Sequence, residues 1–316
     1  MKYSSLLAVF ALLSVVPVLT FADDTPIIPP DAVIEVVSVG DYKFTEGPAL
    51  APDGSIYFTD IPNNHIHRFD PETGGTTLFN DNSGGANGLM FINSYLYACA
   101  GKNRSVDIYT GGPKADSPWR IDDRPAAHRI TKYKDNRLNS PNDLTFATDA
   151  IYFTDPRYGN RDGLELPSEA VFALTDSGEE EKFKVTRVID DLVRPNGIGI
   201  SPDHRTLYVA DNGDKKLWAY PILEPGKVGE GRLLNDLGDF DKGPDGMTVD
   251  HAGRIYATIY NEGVLILSPE GERLGFIETG PQTTNCVFGA DGKTLYVTAE
   301  KSLKRIVLNT GFAAIP

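Results

Sequence analysis

Gly54-Ser55-Ile56-Tyr57-Phe58-Thr59-Asp60 returns almost unchanged as Ala150-Ile151-Tyr152-Phe153-Thr154-Asp155. Looser copies stand at Thr206-Leu207-Tyr208-Val209-Ala210-Asp211, Arg254-Ile255-Tyr256-Ala257-Thr258 and Thr294-Leu295-Tyr296-Val297-Thr298. Ser94-Tyr95-Leu96-Tyr97-Ala98 completes a set of six. The aligned tyrosines lie 40, 55, 56, 48 and 40 residues apart. Each copy is a short β-rich run bounded by turn residues such as Asp53-Gly54 or Asp291-Gly292, which reads as strand, tight turn, strand. Further strand patterns follow at His65–Phe69, Lys216–Tyr220 and Gly263–Leu267. No long segment carries the 3.6-residue period of a helix. Units of this length with about four strands are propeller blades. The expected fold is therefore all-β, a six-bladed β-propeller with four-stranded blades around a central channel. Ring closure requires the first strand pattern, Val33–Val37, to share a blade with the last, Lys304–Leu308, so that no edge stays open.

Outward from the repeat, each unit begins with a second recurring feature. Thr45-Glu46-Gly47, Ala86-Asn87-Gly88, Pro141-Asn142-Asp143, Pro195-Asn196-Gly197, Pro244-Asp245-Gly246 and Thr284-Asn285-Cys286 each place an oxygen-bearing side chain before a strand. Equivalent positions in a propeller lie at one height around the channel, so Glu46, Asn87, Asn142, Asn196, Asp245 and Asn285 should converge. Asn and Asp before Gly are also ordinary turn formers; six in register favour a site. Two carboxylates and several amide oxygens match a hard divalent cation such as Ca²⁺. Zinc favours His or Cys, which are absent from these positions. Asp60, Asp155 and Asp211 end their strands and read as turn residues, with Asp155 the one expected to touch substrate. Among the serines, neither Ser140 nor Ser201 sits in a nucleophile elbow.

The chain of 316 residues opens with Met1-Lys2-Tyr3 and an apolar run, Leu6 to Val18, followed by Thr20-Phe21-Ala22. This is the pattern of a secretory signal over residues 1–22, too short to span a bilayer. Residues 23–316 are expected to form one exported domain, periplasmic or secreted, with no membrane association after cleavage. A formal net charge of −14 argues against nucleic acid as partner. The two cysteines, Cys99 and Cys286, lie in apolar strand patterns and are expected as free buried thiols. Lys114 to Asn139 is a polar insertion, expected as a long loop on one face, and Tyr158 to Glu169 is expected as another.

These motifs resemble the senescence-marker-protein/gluconolactonase family, particularly its gluconolactonase-like branch. The residues that carry the resemblance are Thr45-Glu46-Gly47-Pro48, Leu138–Asp143, Tyr152–Pro156, Arg194-Pro195-Asn196-Gly197, Pro244-Asp245-Gly246-Met247 and Asn285–Gly289, spanning about residues 40–300. The resemblance implies a divalent ion, usually Ca²⁺ with Zn²⁺, Mg²⁺ or Mn²⁺ as alternatives, held by Glu46, Asn142, Asn196 and Asp245. It implies hydrolysis of a small-molecule sugar lactone with Asp245 as general base. Asn87 and Asn285 remain as polar groups lining the channel near substrate. The resemblance breaks at Ser140, where sugar-lactonase relatives carry a substrate-binding arginine; Arg137 is the candidate replacement. Two other readings compete: a metal-dependent phosphotriesterase or arylesterase, and a non-catalytic, calcium-stabilised binding module.

Overall fold

A computed structural model describes residues 25–310 apart from Ser94, 115–116, 122–125, Ala127 and 179–182. The signal sequence expected over residues 1–22 lies outside the described residues. Among the described residues every regular element is a strand, and no helix is long and apolar enough to cross a membrane.

The strands form six antiparallel blades. Blade 1 runs from the channel outward as Thr45–Leu50, Ile56–Asp60, His65–Phe69 and Thr76–Asn80. Blades 3, 4 and 5 follow the same order from their inner strands Leu144–Ala147, Pro195–Ile200 and Pro244–Val249. Blade 6 comprises Thr283–Phe288, Thr294–Ala299 and Ser302–Val307, and its outer strand is the N-terminal Glu35–Val39. Closure thus joins the two chain ends as expected, through pairs such as Glu35↔Arg305 and Val39↔Ser302. The first strand starts two residues later than its apolar pattern, because Ile34 and Ala32 pack onto the seam between blades 5 and 6.

The core is not central. It is divided into six apolar seams, each built by two adjacent blades. This explains the repeated tyrosine: Tyr57, Tyr97, Tyr152, Tyr208, Tyr256 and Tyr296 are all buried in seams. Burying a side chain of this size contributes about 2 kcal/mol, which makes each copy a separate anchor between neighbours. Cys99 and Cys286 are free and buried in two of these seams, as expected. Threonines in the second strands tie blades together on the channel side: Thr59 donates to Asn87 O (3.1 Å), Thr154 to Asn196 O (2.7 Å) and Thr258 to Thr284 O (2.7 Å).

Blade 2 corrects one expectation. Its strands are Ala86–Ile92, Tyr95–Ala100 and Ser105–Lys114, and its outer strand is His128–Ile130. The insertion from Lys114 to Asn139 is therefore not simply a loop. Its first part pairs back as Ser117–Ile121, and its last part forms a small hairpin, Lys132–Tyr133 with Asn136–Arg137. The sequence there is polar because the blade edge is solvated, yet Ile130 still packs on the seam and Arg129 grips the buried Asp107 carboxylate with two bonds of 2.8 Å. The stretch after blade 3's second strand, Pro156 to Glu169, carries no strand and stays a loop.

Candidate functional site

The converging ring is created by irregularity. In blades 1, 2, 4, 5 and 6 the pairing of the inner strand slips at the ring residue, between Glu46 and Ala49, Ala86 and Leu89, Pro195 and Ile198, Pro244 and Met247, and Thr283 and Asn285. A β-bulge of this kind bends the strand and re-aims side chains. Here it presses the inner strands of adjacent blades together. Gly47, at φ 44°, has no room for a side chain, because a Cβ would lie 1.9 Å from Asn87 O.

Five of the six ring residues, Glu46, Asn87, Asn142, Asn196 and Asp245, line one cavity of about 510 Å³. All but the half-buried Asn87 are buried. Asn285 lines a second cavity of about 270 Å³, at the other end of the channel. The second cavity is also lined by Asp143, which the repeat does not single out. Asp143 is buried, and it accepts a 3.1 Å bond from Asn285 Nδ2 and a 3.0 Å bond from the Leu144 amide. Blades 3 and 6 face each other across the ring, so this bond crosses the channel. Asp143 occupies the position held by glycine in four other units, and its Oδ1 fills the space next to Gly88.

The floor of the large cavity thus carries two buried carboxyl groups, Glu46 and Asp245, with a third, Asp143, close by on the lining of the second cavity. Among the described residues, none of the three forms an ion pair with Arg, Lys or His. Burial pushes Asp245 up to about 7, against the amide bond from Asn196 and with the Asp143 charge adding to the rise. Burial also pushes Asp143 up to about 7. Glu46 is raised well above the ordinary carboxylate range, first by burial, then by Asp245, despite a bond from the Gly47 amide. Unpaired charge in such a place is costly. A cation removes that cost.

The donors suit a hard divalent ion: carboxylates from Glu46 and Asp245, amide oxygens from Asn142 and Asn196. Among the described residues no three His, Cys, Asp or Glu side chains form a metal cage by themselves, so the amides would be needed to complete the set. The Asn196 amide donates to the Tyr158 hydroxyl at 2.8 Å and to Asp245. An amide turned by half a rotation offers its oxygen instead.

Two other expected substrate residues lie elsewhere. Asp155 is fully buried and outside the cavity lining; its carboxylate accepts from the Asn139 and Ser140 amides at 2.7 Å each. Asp60 and Asp211 do the same for Lys43 and Phe44, and for Val193 and Arg194. All three hold the segment that leads into their blade's inner strand, as the turn reading expects. Arg137 is exposed on the small hairpin, its amide donating to Glu165 at 2.6 Å, and it does not line the cavity. The walls are made instead by Phe44, Ile61, Tyr158 and Tyr260, with Asn212, Lys215 and Lys242 on one flank. These stand outside the repeat, and no sequence signal marked them.

Fold and floor together define a class: a six-bladed propeller with an acidic, amide-lined pocket at one mouth of its channel. Residues 44–301 match the SMP-30/Gluconolactonase/LRE-like region. The chain belongs to this family. It is 30 % identical over 315 residues to a gluconolactonase of Zymomonas mobilis, covering 89 % of this chain and 84 % of that protein. It is 28 % identical to a 6-deoxy-6-sulfogluconolactonase of Pseudomonas putida, covering 78 % and 79 % of the two chains. The solved structure of a gluconolactonase from Xanthomonas campestris superposes with a TM-score of 0.74 at 26 % identity, covering 88 % and 90 %.

Proposed function

We propose that the protein is a lactonase, a metal-dependent hydrolase that opens a cyclic ester at the floor formed by Glu46, Asn142, Asn196 and Asp245. The observation that carries this reading is the cluster of buried, unpaired carboxyl groups at the base of a substrate-sized cavity. Its family membership and the lactonases among its relatives support the reaction type. A divalent cation bound by those four residues, Ca²⁺ by the chemistry of its oxygen donors, would polarise the lactone carbonyl and stabilise the oxyanion.

The chain's own groups account for the rest. Asp245, on the floor of the cavity, is placed to accept a proton from water as the water oxygen attacks the carbonyl carbon. The tetrahedral centre then collapses, the ring C–O bond breaks, and the leaving alkoxide takes a proton to give the hydroxy acid. Asn142 and Asn196 orient the carbonyl, and the Asp143–Asn285 bond crosses the channel beneath.

The test is hydrolysis of glucono-1,5-lactone, corrected for spontaneous opening, before and after complete chelation. Activity that is lost on chelation, restored by Ca²⁺ and abolished in Asp245→Asn supports the proposal. Undiminished turnover without metal would overturn it. A panel of phosphotriesters and aryl esters separates lactonase activity from the competing hydrolase reading, since a lactonase has its highest kcat/KM on lactones. The mature protein is further proposed to be exported, which N-terminal sequencing of the protein recovered outside the cytoplasm would check.

A further inference from the structure

The mouth of the large cavity is not uniform. Blade 6 contributes no residue to its lining among the described residues. Above it, Phe44 from the approach to blade 1 and Tyr260 from the end of a blade 5 strand meet with ring centroids 6.5 Å apart. They form one apolar wall. Blade 3, on the far side of the ring, supplies the opposing wall through Tyr158. That ring is fixed at two points: the Arg194 guanidinium lies 5.2 Å from its centroid, and its hydroxyl bonds Asn196 at 2.8 Å. Despite this anchoring, Tyr158 remains 42 % exposed. An aromatic ring held in place, with one face against Arg194 and the residue still partly exposed, has its other face to offer for stacking.

The charged groups above the floor, Lys215, Asp241 and Lys242, are confined to the flank of blades 4 and 5, and no arginine is in the lining. Lys215 spends one donor on Phe240 O at 2.9 Å, and Lys242 stands 3.7 Å from Asp241. A cavity of about 510 Å³ lies in the range that encloses drug-sized ligands. A single six-membered ring on the floor would leave the space between Tyr158 and the Phe44–Tyr260 wall unfilled.

From this we infer that the substrates are lactones bearing a flat apolar substituent, with the ester carbonyl on the floor and the substituent between Tyr158 and the Phe44–Tyr260 wall. The inference rests on the lactonase reading for the reaction, but the slot itself is tested without turnover. Purified Ca²⁺-supplied protein is titrated calorimetrically with δ-valerolactam and with 4-phenyl-δ-valerolactam, which resist hydrolysis. The phenyl compound should bind at least about tenfold more tightly. That ratio should fall to within about threefold in Phe44→Ala and in Tyr260→Ala, with Phe44→Leu as an apolar control and circular dichroism confirming the fold. Equal binding of the two lactams, or a ratio unmoved in both alanine variants, overturns the slot.

Hydrolysis of the matching lactones and of glucono-1,5-lactone then completes the comparison. The phenyl lactone should exceed δ-valerolactone in kcat/KM by a ratio like that of the lactams. A higher kcat/KM on glucono-1,5-lactone than on the phenyl lactone refutes the inferred substrate class. If the lactams discriminate but no lactone is opened, the slot stands and the lactonase reading falls.

Discussion

Asp143→Asn separates the cost of the acidic floor from its purpose. Asp143 is buried, its carboxyl displaced from an ordinary 3.8 to about 7 chiefly by loss of water. A displacement of that size corresponds to about 4 kcal/mol between protonated and ionised forms. The fold favours the protonated form. This contribution is therefore fully present below the unfolded value near 4 and is lost as pH rises toward 7. Asparagine keeps the shape and the acceptor for the Leu144 amide while removing the charge. It gives up the acceptor for Asn285, which offsets about 1 kcal/mol, and coupling to Glu46 and Asp245 shares out part of the remainder.

The expected result is a metal-free protein about 1–3 kcal/mol more stable than the parent at pH 7.5, with little or no gain at pH 4.5. Urea unfolding in chelator at the two pH values measures this. Calorimetric titration of the same variant with Ca²⁺ should show weaker binding, because one negative charge near the ring is gone. Stability and affinity then move in opposite directions. A variant that loses stability equally at both pH values would show that Asp143 is only a packing and hydrogen-bonding residue, and the electrostatic account of the floor would be wrong.

Three further outcomes follow from the same floor and walls. Protons and a cation compete for Glu46 and Asp245, so the apparent Ca²⁺ Kd should fall at least about tenfold from pH 5.5 to 7.5, as read by calorimetry. Gly47→Ala should cost about 3 kcal/mol or more in urea unfolding, because its Cβ would meet backbone of the next blade at 1.9 Å and neither strand can yield alone. Tyr158→Phe removes the hydroxyl bonded to Asn196 while keeping the wall; Ca²⁺ affinity should weaken about fivefold, the worth of one hydrogen bond, with thermal stability nearly unchanged.

What the sequence reveals about this site depends on repetition. Glu46, Asn142, Asn196 and Asp245 were legible because the same unit recurs, and recurrence places equal positions at equal heights around a closed ring. The seam tyrosines were legible for the same reason. Asp143 was not, because adjacent residues on a regular strand point to opposite faces, and an inward Asn142 then implies an outward neighbour. In the other units the bulge breaks that alternation, and in blade 3 the chain reaches the channel before its strand begins at Leu144, so both residues face inward. The trace that was available is the glycine of Gly47, Gly88, Gly197 and Gly246 replaced by aspartate in a single unit.

Asp155 was misplaced by the opposite error, since Asp60 and Asp211 share its position and the repeat already implied one shared structural task. Arg137 is near Asn142 in sequence, but it stands on the hairpin of Lys132–Tyr133 and Asn136–Arg137 and does not line the cavity. Phe44, Tyr158, Tyr260 and Lys215 come from the segments between repeats, where no second copy exists for comparison. The division is physical. Blades must match one another to close the ring and bury six seams, so the repeat carries the floor that all blades build together. The connecting segments answer to no such constraint, and they alone shape the mouth. The residues that shape the mouth are therefore the ones periodicity cannot reveal.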